Sequence, residues 1–313
     1  MITDLEKAIC LVKIGDRLTE DMPGFLLERQ NEVDLCKNRD IPYFLINVLP
    51  FEQPSQANTK IMQMVKRGTW YLPQPITSLE RYNIFLRSWL AHTPYALDAI
   101  RNLKGHNELD EDSLQIVFNW PMHVSREYTN RDISLLTLSQ LKSSAEHYAK
   151  DGLVFVKTRE KPGSGHGHGV IMTIDQALQA ETLGLPYCDS WVNKRRLQKL
   201  DGQSTLIVSQ PMDLARDELG TVEYRGWVFN QNLVAISRYA HPENTNVPPA
   251  VVSFAEQFSK AHNSRLPRHY VLDLCQTTNG KVCVVEINDI MSAGNTNKLI
   301  FGKILDAYFT NGN

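Results

Sequence analysis

The chain has 313 residues, 42% of them apolar, and a formal net charge of −2. That length suits two domains or three small lobes, and the apolar fraction supports a proper core. A charge so near zero gives no electrostatic case for nucleic acid or an acidic membrane surface, and no apolar run is long enough to span a bilayer. The five cysteines (Cys10, Cys36, Cys188, Cys275 and Cys283) are odd in number and lack CxxC spacing. With no secretory signal ahead of them, they read as small buried hydrophobes in a reducing cytoplasm.

In chain order, Tyr43 to Leu49 reads as a buried strand closed by Pro50, and Gln53 to Lys60 as a surface loop. Ser78 to Leu103 has a helical pattern interrupted at Thr93-Pro94. Leu114 to Trp120 reads as a strand stopped by Pro121, and Leu136 to Lys150 as a helix ended by Asp151-Gly152. Strands alternating with helices predict an α/β N-terminal domain. His123, Arg126 and Arg131 fall in a short polar stretch and read as a solvated loop, with reach to a substrate as the alternative.

Chemistry becomes legible at Leu153. LVFVK is a short buried-type strand ending in Lys157, followed by the glycine-rich loop TREKPGSGHGHG, residues 158–169, and the strand Val170-Ile171-Met172. Gly163, Gly165, Gly167 and Gly169 remove side-chain bulk, so successive N–H groups can converge on an anion. Lys157 supplies a point charge for a phosphate. His166 and His168 have no third ligand in view, so they do not read as a metal site. Ile174 to Leu185 predicts an amphipathic helix, and Asp189 to Leu200 a second, basic one. Thr205 to Ser209 is a buried strand entering Gln210-Pro211-Met212-Asp213, an interrupted segment whose free backbone groups can meet an adenine edge.

Residues 222–239 read as two strands around Asn230-Gln231, a register in which Glu223 faces Arg238 and Arg225 shares their surface. Arginine binds phosphate or carboxylate bidentately. An exposed Glu–Arg pair with a spare arginine is the plain alternative. The last hairpin, Tyr270 to Asp289, turns at Asn279-Gly280. Pairing Thr278 with Lys281 places Asp273 opposite Glu286. Cys275, Val284 and Asn288 share that face, while Leu272, Leu274, Val285 and Ile287 take the other. Two facing carboxylates repel unless a positive charge sits between them, and Mg²⁺ is the natural candidate. An ordinary solvated hairpin face is the competing reading.

Lys157 with its glycine-rich hairpin, a strand and hinge, EYR…SRY, and a D…E-x-N hairpin together resemble the ATP-grasp fold. More narrowly they resemble the clade named for two arginines and a lysine, and the eukaryotic cell-division-cycle protein that assembles a translation initiation factor is similar in its EYR-type hairpin. The likeness covers roughly residues 135–309. It implies an α+β, ATP-grasp fold behind an α/β N-terminal domain: residues 1–134, then 135–313, divided into a small lobe at 135–209 and a large lobe at 210–313. It implies ATP held by Lys157, Gly163, Ser164, Gly165, Gly167, the hinge Gln210, Pro211, Met212 and Asp213, and by Glu223 and Asp273. Mg²⁺ falls to Asp273, Glu286 and Asn288, and catalysis to Lys157, Arg225 and Arg238. The hinge lacks the family's usual acidic neighbour, so Gln210 or Asp213 must serve the ribose. MSAGNTN, residues 291–297, should close the site and cap the following helix, with Asn295 and Asn297 directed inward.

The activity implied is a cytoplasmic ATP-dependent carboxylate–amine or carboxylate–thiol ligase working through an acylphosphate on a small-molecule, peptide or protein substrate. Two alternatives are a nucleotide-binding assembly factor with a protein partner, and a phosphotransferase without ligation.

Overall fold

The computed structural model describes residues 6–14, 24–41, 43–48, 82–87, 111–159, 169–189, 194–290, 293–294 and 297–310. The chain begins with three parallel strands, β1 (Glu6–Ile14), β2 (Tyr43–Val48) and β3 (Tyr82–Arg87), in the order β2-β1-β3, with helix α1 (Gly24–Asn38) between the first two. Parallel neighbours need such a crossover. β3 corrects the helix expected from Ser78 to Leu103. Phe85 and Arg87, two residues apart, are both fully buried, which is the period of a strand. The remainder of that stretch lies outside the described residues, as does the loop expected from Gln53 to Lys60. Leu114 to Trp120, expected as a strand, is instead the end of helix α2 (Glu111–Phe118) and a 3₁₀ turn at Trp120–Met122. Val117, Trp120 and Val124 are buried together at helical spacing. A short apolar run does not reveal its own period, and the core decides it.

After the short helix α3 (Arg126–Thr129) comes the middle sheet, built from β4 (Ile133–Thr137), β5 (Leu153–Thr158), β6 (Val170–Thr173) and β9 (Thr205–Ser209) in the order β4-β9-β5-β6, all antiparallel. Helices α4 (Leu138–Ser144) and α5 (Ile174–Leu178) each start in a capping box, Thr137 with Gln140 and Thr173 with Gln176, and α6 (Ala180–Leu183) follows. Strand alternation sorts the sheet's residues. Val154, Val156, Leu206 and Val208 bury against the helices, while Ile133, Phe155, Lys157, Ile207 and Ser209 share the other face. The basic helix expected from Asp189 to Leu200 is instead a two-stranded ribbon, β7 (Leu185–Asp189) with β8 (Lys194–Gln198). The segment has no apolar stripe to bury as a helix, and Leu197 stands 63% exposed.

A small ribbon, β10 (Arg216–Asp217) with β11 (Gly220–Thr221), leads into the C-terminal sheet. Its strands β12 (Glu223–Phe229), β13 (Asn232–Arg238), β14 (Tyr270–Gln276) and β15 (Val282–Asn288) run antiparallel in the order β13-β12-β14-β15. Tyr224, Val228, Leu272, Leu274, Val284 and Ile287 pack on helix α7 (Pro249–Ala261) through Val251, Ala255 and Phe258. The opposite face is divided along its length. At one end Trp227 lies 5.4 Å from the Arg87 guanidinium, and Phe229 meets Phe85 and Tyr308 of helix α8 (Lys298–Thr310). The other end, carrying Glu223, Arg225 and Asp273, is left to a cleft. No helix among the described residues is long and apolar enough to cross a membrane.

Both hairpins of this sheet carry a β-bulge. Asn230 and Gln231 have φ of 48° and 62° and form the expected two-residue turn. The register then shifts at Val234, so Tyr224, not Glu223, faces Arg238. In the second hairpin Thr277 pairs with Lys281, and Gly280, at φ 81°, completes a three-residue loop. Cys275 faces Cys283 and Leu274 faces Val284, each one position away from the expected partner. Val285 then bulges, and Asp273 faces Glu286 after all.

Candidate active site

A cleft of about 330 Å³ lies between the free face of the middle sheet and the open end of the C-terminal sheet. Lys157 projects into it from β5 because it sits two residues beyond Phe155, on the face turned away from the helices. Its ammonium is ion-paired with Glu286 across the cleft. Arg225 and Asp273 are direct neighbours on β12 and β14. The guanidinium donates Nε to Oδ1 at 2.8 Å and Nη2 to Oδ2 at 2.7 Å, and Nη1 to Gly294 O at 2.9 Å. Asn288 Nδ2 donates to Asp273 Oδ2 at 2.7 Å. The Tyr239 ring lies 4.4 Å from the Arg225 guanidinium carbon. Burial by itself would lower the pKa of Arg225, but Asp273, then Tyr239 and Glu286, hold it above the usual arginine range. Glu223 is pushed up, first by burial and then by the charge of Asp273, against the pull of Arg225 and Arg238.

The structure thus brings Lys157, Gln210, Met212, Glu223, Asp273 and Glu286 to one cleft, with Arg225 and Asn288 bonded to Asp273. Pro211 and Asp213 line a neighbouring hollow on the outer side of the hinge, where Asp213 is ion-paired with Lys150. Arg238 is elsewhere. The bulge at Val234 turns it to the face of Tyr224, where its Nη2 donates to Asp217 at 2.8 Å and to Thr221 O at 2.9 Å. The expected grouping of Arg238 with Arg225 on one surface is therefore corrected, and Tyr239 takes the place in the cleft. Gly163, Ser164, Gly165 and Gly167 lie outside the described residues, as do His166, His168 and Asn295. Gly169 is described, and a Cβ there would overlap the Phe155 ring. Asn297 accepts from Ile300 N at 2.8 Å, capping α8, and its amide donates to Pro242 O rather than into the cleft.

Of the three polar residues that the sequence places in solvent, Arg126 is exposed and bonded to Asp132, and His123 is half-buried. Arg131 is a correction: it is 6% exposed and lines the cleft. Sequence reasoning also misses Tyr239 and Val285, since each enters the cleft through a bulge that alternation does not reveal.

The oxygen donors suit a hard divalent cation. Asp273 and Glu286 oppose each other on adjacent strands, and each is stabilised by a cation from another strand. Among the described residues no group of three or more His, Cys, Asp or Glu could hold a metal. The set therefore consists of two carboxylates and the Asn288 amide, a number that fits Mg²⁺, which keeps water and phosphate oxygens as its other ligands.

The D-cycloserine synthetase DcsG superposes with a TM-score of 0.58 at 13% identity, over 98% of this chain and 100% of its own. A RimK domain ATP-grasp protein from Sphaerobacter thermophilus gives 0.53 at 11%, over 97% and 98%. The ATP-grasp ligase PsnB, in a structure containing a phosphomimetic precursor variant, Mg and ADP, gives 0.54 at 10%, over 99% and 100%. A search of curated proteins finds no sequence match. These likenesses establish an α+β ATP-grasp fold, and ATP-grasp enzymes use ATP and Mg²⁺. The family model for the ATP-grasp domain of the two-arginine, one-lysine clade, family 2, matches residues 128–300, more than half of the chain, so the protein belongs to that family.

Proposed function

We propose that the protein is an ATP- and Mg²⁺-dependent ligase that joins a carboxylate to an amine or thiol. The observation that carries this reading is the meeting of Lys157, Asp273 and Glu286 in one cleft between two sheets, with Arg225 and Asn288 bonded to Asp273. Asp273, Glu286 and Asn288 are the residues that would hold Mg²⁺, which when bound would offset the charge of phosphoryl transfer. A substrate carboxylate oxygen attacks the γ-phosphorus, the bond to ADP breaks, and an acylphosphate results. The acceptor nitrogen or sulfur then forms its bond to the acyl carbon, loses its proton, and phosphate leaves.

Lys157, freed from Glu286, places an ammonium on the phosphates, and Arg225, clamped by Asp273 and Tyr239, holds a fixed guanidinium near the reacting groups. Fixed charges of this kind act without reorganising during the reaction. Gln210 and Met212 border the same cleft and are assigned to the nucleotide base. Arg238, committed to Asp217 and Thr221 on the other face, is left out of the chemistry.

The test is ADP release over a panel of carboxylates and amines, in the parent and in Lys157→Ala and Glu286→Ala. The expected loss in each variant is about 10² to 10³ in rate. Equal activity in either variant would remove the assignment. Tight nucleotide binding with no acceptor-stimulated turnover would favour an assembly factor instead, and ADP release without free phosphate a phosphotransferase.

A further inference from the structure

The hairpin of β14 and β15 reaches its final register by a correction. Next to the turn, Cys275 faces Cys283 and Leu274 faces Val284. Continued unbroken, that ladder would set Asp273 opposite Val285 and turn Glu286 to the face that packs on α7. Side chains alternate, so one inserted residue reverses everything beyond it. Val285 is that residue, and its bulge puts Glu286 in the cleft.

A bulge takes backbone groups out of the ladder, and buried carbonyls need donors. Arg131 supplies them from the chain just ahead of β4. Its Nη1 donates to Val284 O at 3.0 Å and its Nη2 to Val285 O at 3.2 Å, while Nε reaches Ser209 Oγ at 3.3 Å. The other acceptors are Thr129 O and Met212 Sδ. No carboxylate among the described residues pairs with Arg131. A buried guanidinium without a counter-ion is costly. An apolar side chain would avoid that cost but could not satisfy two carbonyls at once.

We infer that Arg131 is a positioning residue: it holds the Val285 bulge and, through it, the side of the strand from which Glu286 reaches the metal. The inference rests on the proposed metal role of Asp273 and Glu286. Its test titrates Mg²⁺ into protein with a non-hydrolysable ATP analogue and reads binding by calorimetry, alongside amide hydrogen exchange. In Arg131→Met the Mg²⁺ concentration for half-maximal binding should rise about 10- to 100-fold, the usual penalty for losing support behind a metal ligand. The Glu286 amide should exchange faster, and Arg131→Lys should recover part of both.

Deleting Val285 supplies the decisive background, because an unbulged ladder then brings Glu286 opposite Asp273 directly. There Arg131→Met should have no further effect on the metal midpoint. An unmoved midpoint and unchanged exchange in the first variant would overturn the inference, as would an equal shift in both backgrounds. Should Arg131→Met fail to fold, folding restored by the deletion supports the bulge role, and failure in both backgrounds refutes it. A parent protein that binds no nucleotide sinks the ligase reading, while the exchange rates still judge Arg131.

Discussion

Asp273 accepts two hydrogen bonds from Arg225 and one from Asn288, with its side chain only 10% exposed. Removing one partner of a buried pair strands the other charge. Asp273→Ala should therefore cost about 3–5 kcal/mol in denaturant unfolding even without ligand. Arg225→Met combined with Asp273→Leu should be more stable than either single variant, since neither charge is then left alone. A double variant no better than the singles would show that the pair is not coupled. Glu223 offers a test in pH. Its pKa is raised in the folded state, by burial and then by Asp273, so its protonated form is favoured there. The stability it contributes is present at low pH and is lost as pH rises through the folded value. Glu223→Gln should accordingly melt above the parent at pH 7, with the gap closing toward the ordinary glutamate range of about pH 4–5.

At the scale of elements, much of the site can be read from sequence, though not always for the right reason. A two-residue turn and an unbroken ladder place Asp273 opposite Glu286. The turn in fact has three loop residues and the ladder a bulge, and the two displacements cancel. In the first hairpin the two-residue turn is as the sequence predicts, but the Val234 bulge puts Arg238 on the face opposite to the expected one. Bulges are invisible to alternation because partners outside the strand stabilise them, as Arg131 does for Val285. Arg131 itself carries no sequence signal, because a charged residue in a polar stretch ordinarily faces water. Gly169, the last glycine of the loop, lies against the Phe155 ring. Gly169→Ala should displace the Phe155 ring, narrow the cleft and weaken nucleotide binding, and titration calorimetry would register the change. Unaltered affinity would mean that the ring can yield without closing the cleft.

At the scale of the molecule, the N-terminal sheet is part of what holds the site. Arg87, fully buried, pairs with Glu32 at 2.8 Å, donates to Ala293 O at 3.1 Å and bonds Ile290 O. Gly294, the next residue after Ala293, is the one whose carbonyl accepts from Arg225. Trp227, Phe229 and Phe301 lie under the same cover. A chain lacking residues 1–110 would expose this apolar surface and should self-associate, as analytical ultracentrifugation would reveal. A monodisperse fragment that still bound nucleotide would show that the N-terminal sheet is dispensable.

The ammonium of Lys157 and the carboxylate of Glu286 belong to different sheets, and each is the other's partner across the gap. If ATP and Mg²⁺ occupy the cleft as proposed, parting this pair would leave an ammonium facing an anion on one wall and a carboxylate facing a cation on the other. A bare nucleotide would answer only the first and a bare metal only the second, so on that reading the pair would favour the joint complex over either component alone.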